Sequence, residues 1–119
     1  MHELFIIGRI LLGGYFIYSG FGHLFKLSML AGYAKSKHIP APTLAVAVSG
    51  LILLIGGLGI LFHFHMTIGI LLLEIFLIIT TLVMHQFWNV KDPAARMNEM
   101  INFNKNIALI GALLMIIAK

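Results

Sequence analysis

Residues 8–23 read GRILLGGYFIYSGFGH, and how this stretch is solvated decides the fold. It is apolar enough to sit in lipid, yet an arginine stands near its start and a histidine at its end. Lipid penalises both side chains, so each needs a partner, an interface or a water-filled cavity. The apolar run extends on both sides, over residues 4–25, about the 20 residues an α-helix needs to cross a hydrocarbon core. Three further runs of similar character follow at 43–62, 66–84 and 103–118.

The rest of the chain agrees with a lipid solvent. Of 119 residues, 61% are hydrophobic and 10% charged, with a mean hydropathy of +1.04. A soluble domain is about half apolar and about a quarter charged, so this chain has too little polar surface to cover a water-soluble globule. The expected fold is all-α: one membrane domain over residues 1–119, a transmembrane four-helix bundle. MHELFIIGRI has no basic leader, so the first run reads as a span and not as a cleavable signal. The chain has no cysteine, which removes disulfides, thiolate metal sites and cysteine redox chemistry. The net charge of +4 is spread over the loops without a basic block, which speaks for membrane topology and against a nucleic-acid surface.

Between the first two runs lies KLSMLAGYAKSKHIPAP, residues 26–42. Leu27, Leu30, Tyr33 and Ala34 recur at helical spacing, which predicts a short interfacial helix stopped by Pro40 and Pro42. The joint HFHM between the second and third runs is tight and makes those helices antiparallel neighbours. Residues 89–102 form the one clearly water-loving stretch. Lys26, Lys35, Lys37, Lys91, Arg96 and Lys105 fall in the first and third loops, against Lys119 and Arg9 on the other side. The positive-inside rule then places both termini outside the cytoplasm of a prokaryotic cytoplasmic (inner) membrane.

Two polar stripes emerge at helical spacing. Arg9, Gly13, Phe16, Gly20 and His23 share a face of the first span; Glu74, Ile78, Thr81, His85 and Trp88 share one of the third. Counted from the starts of their spans, His23 and His85 fall at the same depth, while Arg9 and Glu74 differ by roughly 4–5 Å, within reach of an arginine. An intramembrane ion pair between Arg9 and Glu74 is therefore one expectation, with Gly13 and Gly20 allowing close approach. The competing reading has Arg9 snorkelling to the interface. At the other level, His23, His85, Gln86, Trp88, Asn102, Lys105 and Asn106 offer imidazoles, amides and a ring that suit a quinone headgroup. The same residues also fit a plain interfacial belt. His2, His63, His65 and Met66 gather on the outer side; imidazole with thioether suits copper, but loop spacing alone does not make a metal site. Gly50 and Gly57 point to close helix packing.

Taken together, GRILLGGYFIYSGFGH, IPAP before the second span, HQFW closing the third and MINFNKNIALIGALLMI in the fourth resemble the DoxX family of small four-helix membrane proteins. The resemblance runs over nearly the whole chain. Arg9, His85, Trp88, Asn102, Phe103, Lys105 and Asn106 match positions of that family. It implies a membrane subunit beside an oxidoreductase, since the family name is shared with a subunit of thiosulfate:quinone oxidoreductase and other members are linked to oxidative-stress complexes. Relatives commonly carry lysine in place of His23, and an acid in the second span near Leu53 or Leu54. Glu74 is then the candidate to replace that acid as the partner of Arg9.

Three functions of different classes follow from the residues and the resemblance. One is a quinone-interacting or accessory membrane subunit whose redox centres reside on partner oxidoreductase subunits. Another is a membrane scaffold or assembly protein, working as a homo-oligomer or with partners. The last is an oligomeric small-solute carrier. Quinone is the one cofactor that these readings suggest.

Overall fold

A computed structural model describes residues 2–118; Lys119, used above as an outer charge, lies outside the described residues. The described chain is all-helical: α1 (His2–Phe25), α2 (Leu27–Ser36), α3 (Pro42–Leu61), α4 (Met66–Met84), a single 3-10 turn (Phe87–Asn89) and α5 (Pro93–Ala118). Four helices are long and apolar enough to cross a membrane, and the short α2 lies between the first and second of them. The chain divides into two compact units, Met1–Leu73 and Glu74–Lys119, with the division inside α4.

In the first unit α1 packs antiparallel on α3 through glycine. A Cβ on Gly13 would stand 2.8 Å from the carbonyl oxygen of Gly57, and one on Gly20 at the same distance from that of Gly50. Apolar side chains gain little from leaving lipid for each other, so close backbone approach and van der Waals contact hold such helices together. Phe16, Leu53 and Ile60 fill the space beside the glycines, and Ala31 and Ala34 of α2 are buried where α2 packs on α3. At Gly56 a Cβ would fall 2.5 Å from Leu73 Cγ, so the first half of α4 sits close over α3.

Both tight exits from these helices use a histidine in the left-handed region. His38 (φ 63°) follows α2, and the N–H groups of His38 and Ile39 donate to the carbonyls of Lys35 and Ala34. His63 (φ 53°) follows α3, and the N–H groups of His63 and Phe64 donate to those of Ile60 and Gly59. This is the Schellman hydrogen-bond pattern, with histidine in the place usually taken by glycine. The stop of α2 thus comes at Ser36, before Pro40, and is made by hydrogen bonds at its own end.

The second unit contains the later half of α4, the 3-10 turn and α5. Here the structure differs from the hydropathy reading: α5 begins at Pro93 and not near Phe103. Asp92 caps it, its Oδ2 accepting the Ala95 N–H at 2.9 Å and its carbonyl the Arg96 N–H at 2.8 Å. Pro93 supplies a helix-ready φ at the first position. Residues 93–98 are exposed and Glu99 is buried, so this first part of α5 is polar, and polarity alone gives it the look of a loop.

Candidate functional site

Arg9 enters α1 two turns from its start and is half-buried. Its Nε donates to the carbonyl of Ile60 at 3.2 Å and its Nη2 to that of Leu61 at 3.0 Å. These carbonyls belong to the last turn of α3; that of Ile60 also takes the His63 N–H at 3.4 Å, and a carbonyl at a helix end has room for a further donor. The guanidinium therefore caps a neighbouring helix and places its charge at the negative end of that helix dipole. It also stands 5.7 Å over the Phe5 ring, whose edge meets His63 at 6.1 Å. Neither the carboxylate nor the snorkelling reading of Arg9 foresaw these acceptors. The signal was indirect: an antiparallel neighbour ending in HFHM must present its terminal carbonyls near where α1 begins.

At the far end of α1, His23 Nδ1 lies 2.9 Å from Ser49 Oγ. Ser49 donates its own proton to the Val46 carbonyl, so the oxygen accepts and the histidine donates from Nδ1. His23 belongs to the first unit, whereas the other residues of the expected quinone site belong to the second. The expected pairing of Arg9 with Glu74 likewise joins residues of different units.

The second unit gathers its polar groups where α4 ends. The stripe expected on α4 needs correction here, because the helix stops at Met84, so His85 and Trp88 leave the helical register. Above that point the buried face runs through Glu74, Leu77 (3% exposed) and Thr81, while Ile78 is turned outward at 44%. Past the helix end, His85 Nδ1 donates to Glu99 Oε1 at 3.1 Å. A carboxylate held this way fixes the proton on Nδ1 and orients the ring. Gln86 Nε2 donates to the Leu82 carbonyl, and Asn89 Nδ2 to Gln86 Oε1. These bonds tie the turn to the end of α4. Phe87, Trp88 and Phe103 meet edge to face with centroids 5.3–5.8 Å apart, and Arg96 lies 5.9 Å over Phe87.

The sequence-derived set lacks Glu99 because residues 89–102 have the polarity of a loop. On a helix, Glu99, Phe103 and Asn106 fall at spacings of four and seven and share a face. Asn106 is buried, Asn102 half-buried and Lys105 exposed. His63 and His65, the outer candidates for copper, are exposed and both have positive φ, which gives them a backbone role at the α3–α4 turn.

A family model described as DoxX matches residues 4–86. The chain belongs to the DoxX family. The match covers the first three spans of this DoxX protein and ends at Gln86, so the resemblance seen in MINFNKNIALIGALLMI lies beyond it. Arg9 and His85 fall within the matched stretch; Glu99 and the aromatic partner Phe103 fall outside it. No curated protein and no solved structure matches the chain.

Proposed function

We propose that this DoxX protein is a quinone-interacting accessory subunit of a membrane oxidoreductase, with the redox centres carried by partner subunits. The observation that supports this reading best is the His85–Glu99 hydrogen bond next to the Phe87, Trp88 and Phe103 rings. An imidazole oriented by a carboxylate is equipped to hydrogen-bond a quinone oxygen, and an edge-to-face aromatic group offers its ring a surface. The absence of cysteine leaves sulfur-borne electron transfer to a partner. In this reading the protein resides in a prokaryotic cytoplasmic membrane with both termini outside, and reporters fused to each terminus check that orientation.

The test is purification in mild detergent followed by photolabelling with a quinone carrying a photoreactive group. Labelled peptides spanning residues 85–103, with labelling reduced at least tenfold in His85→Phe, support the reading. Uniform labelling of the lipid-facing surface, unchanged in that variant, rejects it. A retained partner complex without quinone directs attention to the scaffold reading.

A further inference from the structure

Four polar or charged side chains are buried among the described residues, Glu74 (6% exposed), Thr81 (1%), Glu99 (5%) and Asn106 (6%), and all belong to the second unit. Glu99 is explained by His85. Glu74 has no such explanation. It is the one charged residue of the 19-residue α4, and its Oε1 accepts no hydrogen bond. Seven residues further along the same face, the Thr81 hydroxyl is also without a partner. His85 follows four residues later, just beyond the end of the helix.

An ionised carboxylate can only accept hydrogen bonds, and in a low dielectric it requires a cation or several donors. A carboxylic acid carries its own donor and brings no charge into lipid. The ionisable side chains of the other spanning helices are His2, Glu3, Arg9, Tyr15, Tyr18 and His23 in α1 and Arg96, Glu99 and Lys105 in α5, with none in α3. Of these, Arg9 is engaged by the Ile60 and Leu61 carbonyls and Glu99 by His85.

We infer that Glu74 is an intramembrane proton-binding site, a carboxyl that carries a proton within the lipid span and exchanges it along the α4 face by way of Thr81 toward His85 and Glu99. Only a proton moves. The Glu74 O–H bond breaks toward a neighbouring water or hydroxyl oxygen, the carboxylate keeps the electron pair, and a proton returning along the same line restores the acid. A threonine hydroxyl both donates and accepts, so it suits an intermediate position. Two helical turns are roughly 10 Å, so exchange between Glu74 and Thr81 requires more than one intervening water. The inference stands on burial and missing partners and is independent of quinone binding.

The test uses the whole protein in lipid nanodiscs with dicyclohexylcarbodiimide, a lipid-soluble reagent for protonated carboxyls. The acid proton passes to a reagent nitrogen, the carboxylate oxygen bonds to the central carbon, and acyl migration gives a stable N-acylurea. Mass mapping is expected to find the adduct on Glu74 and not on the water-exposed Glu3 or Asp92, declining as pH rises. Infrared spectra are expected to show an acid carbonyl band that shifts in deuterium oxide and is absent in Glu74→Gln. An unlabelled Glu74 with no acid band in the wild type overturns the inference. So does labelling that appears only after Arg9→Gln, because Glu74 is then ionised against Arg9. Thr81→Val is expected to keep the band but slow its deuterium exchange several-fold; an unchanged rate removes Thr81 from the path. The wild-type measurements decide the main point even if a variant fails to fold.

Discussion

The two compact units solve the problem of polarity in lipid differently. In Met1–Leu73 the part-buried polar side chains have partners: Arg9 in the Ile60 and Leu61 carbonyls, Ser49 in the Val46 carbonyl, and His23 in the Ser49 hydroxyl. Its interior is glycine against glycine, with Phe16 and Ile60 fully buried. In Glu74–Lys119 four polar side chains, Glu74, Thr81, Glu99 and Asn106, are buried, and two of them, Glu74 and Thr81, present atoms without partners. An unpartnered buried polar group costs about 1–3 kcal/mol, so it destabilises the unit that keeps it. One unit is built for close packing. The other keeps buried polar atoms without partners, at a cost in stability.

The largest expected effect tests the packing side. Gly57→Leu puts a side chain where a Cβ alone would meet the Gly13 carbonyl oxygen at 2.9 Å, and unfolding in mixed detergent micelles is expected to show a loss of about 3 kcal/mol. Gly14→Ala, one position from Gly13 but with nothing within 4 Å, is expected to be neutral or to gain up to about 1 kcal/mol. Equal effects at both sites would mean that the glycines reflect lipid contact and not helix contact.

Next comes the cap. Arg9→Gln is expected to cost about 1–2 kcal/mol in the same assay, as two charge-assisted bonds to the end of α3 are lost. Arg9→Lys is expected to recover only part, because an ammonium keeps the charge but not the two-pronged geometry. Full recovery by lysine would reduce the role to charge alone.

A double-mutant cycle of His85→Phe and Glu99→Gln is expected to give a coupling of about 1 kcal/mol, read from unfolding. The smallest effects carry the sharpest contrast. Ser49→Ala breaks a satisfied pair of hydrogen bonds and is expected to cost about 1 kcal/mol. Thr81→Val removes a hydroxyl that has no partner and is expected to be within about 0.5 kcal/mol of neutral or stabilising. If the two variants lose stability equally, the contrast between the units fails.

Much of this was legible beforehand. The first-span face Arg9, Gly13, Phe16, Gly20 and His23 was read from spacing, and Gly13, Phe16 and Gly20 are the buried residues of α1. Helical periodicity is local, so it survives in the sequence. The continuation of the α4 stripe through His85 and Trp88 failed because nothing in TLVMHQFW marks Met84 as the last helical residue. Glu99 escapes the sequence reading for the opposite reason: a polar helical turn has the composition of a loop, and only the Asp92–Pro93 start betrays it.

The sequence by itself determined four apolar spans, the lipid solvent, the short helix after the first span and the membership of the family that residues 4–86 carry. These depend on composition and period, properties of each segment alone. Tertiary structure decided which acceptor satisfies Arg9, which carboxylate orients His85 and which polar atoms have no partner. Those outcomes depend on where one helix ends beside another, a distance between segments that no single segment encodes.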